Sequence, residues 1–322
     1  MSDRPVVVIL APRDEPPPGI EGASEHAELR TADGPAHLRE ALPGADALFF
    51  WRASRQDLEE AWDAAGRLRW IQTASDGVDG LLFPSLVDSD VLVTNGRGIF
   101  EDAIAEWVIG VLLGFVTRIP ESFAAQRQHR WISGETERLA GSRLLVVGPG
   151  PIGRAVATRA RALGMEIAAV GRTARMDQMF GQICPVAELI EAVADADVVL
   201  DTVPLTPETH HLFDAQVFAA MRPTARFVNV GRGATVDEPS LIRALQAGQL
   251  SGAAIDVFET EPLPADSPLW DLPGVIVSPH MCGDFKGWEE VAVALFLDNL
   301  GRFARGEELR NPVDKHAGFG VG

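Results

Sequence analysis

The run LLVVGPGPIG at residues 144–153 constrains the fold of this chain more than any other feature. Its apolar half, 144–147, reads as a buried strand, and residues 154–163 carry good helix formers. Between them Gly148, Gly150 and Gly153 form a G-x-G-x-x-G turn. Strand, glycine turn and helix in that order is the setting in which this motif marks a dinucleotide site. Gly148 permits the tight turn, Gly150 lets the backbone approach a pyrophosphate, and Gly153 lets helix and strand pack closely. Pro151 falls where a first helical residue belongs, with a suitable φ and no N–H, and Ile152 follows it. The N–H groups that remain stand at the positive end of the helix dipole and attract phosphate.

The next strand is expected over 167–170. About 20 residues beyond the motif, an acid that binds the ribose hydroxyls of NAD would close such a strand. This one closes in Gly171-Arg172-Thr173, with Arg175 close behind. No carboxylate stands there to repel a 2′-phosphate, and Arg172 and Arg175 can pair with one. That points to NADP(H) as the preferred cofactor, with NAD(H) a possible second. The plainer alternative is that both arginines are solvated loop charges and the acid is simply missing.

A chain of 322 residues with 46% hydrophobic content has room for two cores. Its net charge of −18 opposes nonspecific binding to nucleic acid or to anionic membrane. An anionic substrate therefore has to be captured by local arginines or backbone N–H groups. Lys286 and Lys315 are the only lysines and tyrosine is absent, a pattern that a GC-rich genome or salt adaptation would each produce. Cys184 and Cys282 are too few for a disulfide framework and fit a reducing compartment. The first apolar run is too short for a signal peptide, and the longest, 107–116, is about half of a membrane span. A soluble, cytoplasmic protein is expected, without membrane or nucleic-acid partners.

Short strands at 6–10, 47–50, 70–72 and 91–94, with helices at 38–42 and 56–65, make a first, smaller α/β unit of flavodoxin-like type. Residues 101–118 look helical and apolar on most of their surface, so that helix is buried between domains or against another subunit. Pro120 interrupts it, and 121–138 is polar and arm-like. From 143 onward strands at 144–147, 167–170, 198–201, 227–230, 253–256 and 275–278 alternate with helices. That describes a doubly wound parallel sheet, the Rossmann arrangement. A closing helix over 284–305 returns to the first unit. The expected domains are therefore 1–96 with 285–322 for substrate, and 97–284 for dinucleotide, with no metal site.

Three further segments end strands at the edge that carries the glycine turn. NVGRG delivers Arg232, AIDVFETEP delivers Asp256 and Glu261, and VSPH delivers His280. Ligands of open parallel sheets bind at the carboxyl ends of strands. These residue types suit reversible reduction of a 2-oxo acid. Arg232 can hold a carboxylate by a bidentate pair and polarise the adjacent carbonyl. Hydride transfer leaves an alkoxide that needs a proton, and His280 titrates in the range to supply it. Glu261 would fix the imidazole tautomer, and Asp256 could orient the nicotinamide amide.

With these motifs in place, the chain resembles the D-isomer-specific 2-hydroxyacid dehydrogenases, in particular their NADP-preferring glyoxylate/hydroxypyruvate reductase branch. The resemblance runs through WIQTASDGVD (70–79), VTNGRGIFEDAIAEW (93–107), the glycine turn and DTVPLTPETHHLF (201–213). It continues through FVNVGRGATVDEPSL (227–241), AAIDVFETEPLP (253–264) and SPHMCGD (278–284). It implies Arg232 as substrate arginine, His280 as acid/base and Glu261 as its partner. It implies Val203-Pro204 over the adenosine, Asn229-Val230-Gly231 near the nicotinamide ribose, and Asp256, His280, Cys282 and Gly283 around the nicotinamide. The turn Ser75-Asp76-Gly77-Val78 would grip the substrate carboxylate, alongside Arg232 and His280. Residues 101–139 would be a dimerising arm, making a homodimer, with Trp131 reaching toward the partner's site.

Two departures from that family stand out. Gly171-Arg172-Thr173 replaces the usual acid, and Cys282 stands where a small residue is more ordinary, either packing on nicotinamide or acting as a redox-sensitive thiol. Arg52, after a strand of the smaller unit, either reaches a second anionic group of the substrate or is a surface charge. A reading from another class is a dinucleotide-sensing, corepressor-like interaction protein with the same fold. It would bind cofactor without turning over 2-oxo acids.

Overall fold

A computed structural model describes residues 4–320; the outermost residues of the expected substrate domain, 1–3 and 321–322, lie outside them. The chain divides into two compact units, one running to Phe100 and resuming at Phe285, the other Glu101–Asp284.

The first unit is a five-stranded parallel sheet of β1 (Val6–Leu10), β2 (Glu28–Ala32), β3 (Ala47–Phe50), β4 (Trp70–Thr73) and β5 (Leu92–Thr94). Its order is β2-β1-β3-β4-β5, the flavodoxin-type doubly wound arrangement. Strands β3 and β4 are buried at every position because helices cover both faces. Val8, Leu10, Leu48, Ile71 and Val93 form one core with Leu38 and Leu58. The alternate residues Val7, Ile9, Phe49 and Trp70 pack instead on Ala292, Val293, Phe296 and Leu300. Those four belong to the helix Trp288–Arg305, and Phe296 stacks on Phe49 with ring centroids 4.3 Å apart. The chain's return to this unit is thus a consequence of helix periodicity meeting strand alternation.

Strand β2, ELRTA, is absent from the sequence-based expectation. It is a charged edge strand with little apolar alternation, and that polarity is what keeps an exposed edge from pairing with another chain. The helices expected at 38–42 and 56–65 are Pro35–Ala41 and Arg55–Glu60, the latter followed by a 3₁₀ turn, Trp62–Ala64. The closing helix begins at Trp288 rather than 284, after Gly287 at φ 96°.

The second unit holds β6 (Arg143–Val147), β7 (Glu166–Gly171), β8 (Arg175–Asp177), β9 (Gly181–Pro185), β10 (Val198–Asp201), β11 (Arg226–Asn229), β12 (Gly252–Ile255) and β13 (Val275–Val277). They form one sheet in the order β13-β12-β11-β10-β6-β7-β9-β8. Strand order reverses between β6 and β10, which makes a switch point at the glycine turn. The expectation of six strands needs correcting to eight. Strand β9, GQICP, is bounded by Gly and Pro and short in apolar residues, so it reads as loop although it pairs in parallel with β7. Strand β8 pairs antiparallel with β9, so Arg175 begins an edge strand rather than sitting in a loop.

The helix Glu101–Thr117 packs on the helix Pro151–Ala162, joined by a 2.8 Å contact from Arg159 to Asp102. The arm is not wholly irregular, since Ile119–Arg127 is helical with Pro120 in its first turn. Among the described residues no single helix is long and apolar enough to cross a membrane. A small antiparallel pair, β14 (Val313–Asp314) and β15 (Phe319–Gly320), closes the described chain.

Candidate active site

The glycine turn does what each glycine's position requires. A Cβ on Gly148, whose φ is 96°, would lie 2.9 Å from the Thr202 carbonyl, and one on Gly153 would lie 2.7 Å from the Gly148 oxygen. Gly150 meets nothing within 4 Å and leaves an open approach to the start of the 12-residue helix Pro151–Ala162. The Thr202 hydroxyl donates to the Gly148 oxygen at 2.6 Å, tying β10 to the turn. A cradle closed on the sheet side and open above a helix N-terminus fits the diphosphate of a dinucleotide. Gly150, Ile152 and Gly153 stand where they could hold it, and Pro151 contributes no donor.

Past β7, Gly171 is followed by the exposed Arg172 and Thr173. The Arg175 guanidinium reaches back to the Thr173 carbonyl at 3.5 Å and lies 3.1 Å from where a Cβ on Gly171 would stand. On the other side of the turn, Val203 donates its N–H to Asp201 Oδ1 at 2.9 Å, and Pro204 is exposed.

The NVGRG segment is fastened by the buried Asn229. Its Oδ1 accepts the Gly231 N–H at 2.9 Å and its Nδ2 donates to the Arg232 carbonyl at 3.1 Å. Val230 is buried beneath this turn. Glycine flanks Arg232 by necessity, since a Cβ at 231 would lie 2.8 Å from the Val203 oxygen and one at 233 would overlap the Phe258 backbone. The Arg232 side chain is half-buried, with Nη1 2.7 Å from the Gly231 carbonyl.

His280 Nδ1 meets Glu261 Oε2 at 2.8 Å, and Glu261 Oε1 accepts the Phe258 N–H at 2.9 Å. The imidazole is 49% exposed, so Nε2 is the nitrogen left to face a substrate. The hydrogen bond to Glu261 raises the His280 pKa above its ordinary value, against opposition from burial and from the Arg232 charge. Burial pushes Glu261 the other way, but its bonds to His280 and Phe258 and the Arg232 charge leave it below the ordinary value. His280 sits at φ 52°, uncommon for a residue with a side chain. Asp256 holds that conformation, since its carbonyl accepts the His280 N–H at 2.8 Å. Its carboxylate accepts the N–H groups of Met281 and Cys282 at 3.0 and 3.2 Å.

Asp256 is fully buried, and in this structure its carboxylate holds the turn that presents His280. Gly283 follows in the same turn. The Cys282 thiol is buried, and burial together with the Asp256 charge pushes its pKa far up, which disfavours the reactive thiolate.

In the first unit the loop after β4 is braced from β5. Ser75 Oγ bonds Thr73 Oγ1 at 2.9 Å and the Gly77 carbonyl at 3.0 Å. Asn95 Nδ2 donates to the Asp76 carbonyl at 2.6 Å, and Val78 is buried. Arg52 is held by Glu15 and Glu289, each at 2.7 Å, and lies 5.2 Å over the Trp288 ring. Its guanidinium is thus paired with two carboxylates of its own unit. Trp131 is 98% exposed on the arm, whose Glu137 pairs with Arg226 at 2.9 Å.

The second unit thus gathers Arg232, Glu261, His280 and Asp256 on one stretch of sheet edge with the glycine turn; Ser75–Val78 belongs to the other unit. Sequence reasoning passed over Asp201, Thr235, Arg154 and Asp177. Asp201 ends β10 at the same edge, which is the signal that could have found it. Among the described residues no group of three or more His, Cys, Asp or Glu side chains could hold a metal.

Residues 109–282 match the family described as D-isomer specific 2-hydroxyacid dehydrogenase, NAD binding domain. The chain is 34% identical over 259 residues to glyoxylate/hydroxypyruvate reductase B of Pectobacterium carotovorum, covering 78% of this chain and 80% of that one. It is 30% identical over 321 residues to glyoxylate reductase of Korarchaeum cryptofilum, covering 95% and 96%. Among solved structures, it resembles an NADPH-dependent glyoxylate/hydroxypyruvate reductase of Sinorhizobium meliloti in complex with NADP and malonate. That similarity has a TM-score of 0.84 at 27% identity, over 99% of each chain.

Proposed function

The chain belongs to the D-isomer specific 2-hydroxyacid dehydrogenase family, and from that premise we propose that it reduces a small 2-oxo acid to the D-2-hydroxy acid with NADPH. The observation that carries the proposal is the 2.8 Å His280–Glu261 pair, with the Arg232 charge acting on both. The reductase relatives and the NADP-bound neighbour support it.

When bound, the nicotinamide supplies a hydride to the carbonyl carbon. Arg232 holds the substrate carboxylate by its guanidinium fork and draws electron density toward the carbonyl oxygen. His280 Nε2 gives its proton to that oxygen as the C=O π bond breaks, so the hydroxy acid leaves neutral at its new hydroxyl. Glu261 receives Nδ1–H, fixing the tautomer and stabilising the imidazolium before transfer. Gly171, Arg172 and Arg175 favour the 2′-phosphate of NADPH because no acid opposes it.

The assembly we propose is a homodimer. Ile119, Phe123, Trp131 and Ile132 expose apolar surface along the arm, which a second copy would cover. Both cysteines are unpaired, in keeping with a reducing cytoplasm.

Initial rates with NADPH and NADH against glyoxylate, hydroxypyruvate, pyruvate, phenylpyruvate and oxaloacetate test the activity. Turnover with higher kcat/KM for NADPH is expected. Cofactor binding without turnover of any 2-oxo acid would overturn the proposal in favour of a sensing protein.

A further inference from the structure

The sheet of the second unit ends in a hairpin that the chemistry above leaves unused. Strand β8 runs only from Arg175 to Asp177, and β9 returns beside it with Arg175 opposite Ile183 and Asp177 opposite Gly181. A strand of that length on a sheet edge has little stability of its own. Its far end is nonetheless fixed. The Asp177 carboxylate takes both terminal nitrogens of the Arg154 guanidinium, Nη1 to Oδ1 at 3.2 Å and Nη2 to Oδ2 closer still. Asp177 Oδ1 also accepts the N–H groups of Met179 and Phe180 at 2.8 and 3.2 Å, and its side chain is only 12% exposed. Arg154 immediately follows Gly153 in the helix of the glycine turn, and its guanidinium lies 5.3 Å from the centroid of the buried Phe180 ring.

We infer that the Arg154–Asp177 pair is a positioning device for cofactor choice. It clamps the hairpin to the diphosphate-binding helix and so fixes Arg175 over Gly171, where the 2′-phosphate of an NADPH adenosine is read. The inference rests on the NADPH reading above and adds the residues that hold its arginine in place. Bidentate ion pairs set geometry as well as attraction, and Arg175 is two residues from the pair. Only a ligand with a 2′-phosphate depends on where that guanidinium stands. Loosening the clamp therefore weakens phosphorylated ligands and spares the others.

Asp177→Asn keeps an Oδ1 acceptor for Met179 and Phe180 and removes the ion pair. Arg154→Met keeps an apolar stem over Phe180 and removes the charge. Calorimetric titration of the full chain with 2′,5′-ADP and with 5′-AMP reads the effect without turnover. In both variants 2′,5′-ADP should bind about fivefold more weakly, the scale of a partly exposed ion pair, with 5′-AMP changed less than about twofold. KM for NADPH should rise in parallel while kcat and the NADH parameters hold, and Arg154→Lys should fall between wild type and Arg154→Met. Equal weakening of both nucleotides would make the pair a general support of the helix and overturn the inference, as would no change in either. Arg172→Asp separates the two levels of the argument. If it leaves the NADPH-to-NADH ratio unmoved, the NADPH reading itself falls. If it shifts the ratio while Asp177→Asn does not discriminate, only the positioning role falls.

Discussion

Replacing Asp201 by Asn should make the protein more stable than wild type as pH rises, an unusual outcome for a buried polar substitution. Asp201 ends β10 with no exposed surface. Its Oδ2 lies 2.5 Å from the Thr235 hydroxyl, which in turn lies 2.6 Å from the Arg232 carbonyl. A hydroxyl has one proton to give. If Thr235 donates to the carbonyl, the contact with Asp201 is satisfied only by a proton on the carboxyl. Burial, opposed by the bonds from Thr235 and Val203, pushes the Asp201 pKa from 3.8 up to about 7. The folded state thus binds this proton more tightly than the unfolded chain does. Stability from the group is full below the unfolded pKa near 3.9 and is lost as pH rises through about 7, a total of about 4 kcal/mol at 1.36 kcal/mol per unit. Asparagine reproduces the neutral acid, with Nδ2 donating to Thr235 and Oδ1 accepting from Val203, and it never ionises. Urea unfolding of both proteins in parallel from pH 5 to pH 8 isolates the site, because every other titration cancels in the difference. The variant should gain about 2–3 kcal/mol on wild type across that range. A flat difference curve would show that Asp201 ionises no differently in the folded chain, and the protonated-acid account of the Arg232 turn would fail.

The remaining predictions concern the proposed reaction. His280→Ala should lower kcat by about 10²–10⁴ if the imidazole is the proton donor, and a loss under tenfold in steady-state rates would remove it from that role. Glu261→Gln should move the alkaline limb of kcat/KM for reduction to lower pH. The carboxylate is what holds the His280 pKa up, so its loss ends the protonated form sooner, and an unmoved limb would refute the coupling. Arg232→Lys should raise KM for the oxo acid by more than about tenfold, because an ammonium cannot make the paired contact; an unchanged KM excludes carboxylate binding there. Arg172→Asp should turn the ratio of kcat/KM from NADPH toward NADH, read with both cofactors at saturating oxo acid.

What could be read from the sequence depended on whether a segment's purpose is local. The glycine turn, NVGRG and VSPH are legible because backbone sterics and a strand end fix their function within a few residues. Gly231 and Gly233 illustrate the point, since the spaces they leave are filled by Val203 and Phe258 and no other residue fits. Strands β2 and β9 were illegible for the opposite reason. ELRTA carries charges because it is an edge, and GQICP becomes a strand because β7 offers it a partner. In both, tertiary pairing overrides a weak local pattern. Asp256 shows a further limit. Its place at a strand end is visible in the sequence, but its geometric task is to hold the backbone beyond β13, 25 residues later in the chain.

The same contrast explains why the proposed catalytic groups were found and their supports were not. Arg232, Glu261 and His280 have side chains whose chemistry announces a reaction, and each follows a recognisable strand. Asp201, Asp177 and Arg154 act by fixing other residues, and a carboxylate or guanidinium with that task looks like any other charge until its partner is located. Arg154 meets Asp177 across 23 positions, and Asp201 meets Thr235 across 34. Such pairs depend on topology, here on β11 lying beside β10 and on β9 and β8 following β7, which bring groups far apart in the chain within reach of one another. The supports of this site are therefore set by sheet order, whereas the proposed reacting groups are set by motif. A substitution at Asp177 or Asp201 should then change cofactor choice or pH response while leaving the glycine turn, NVGRG and VSPH intact.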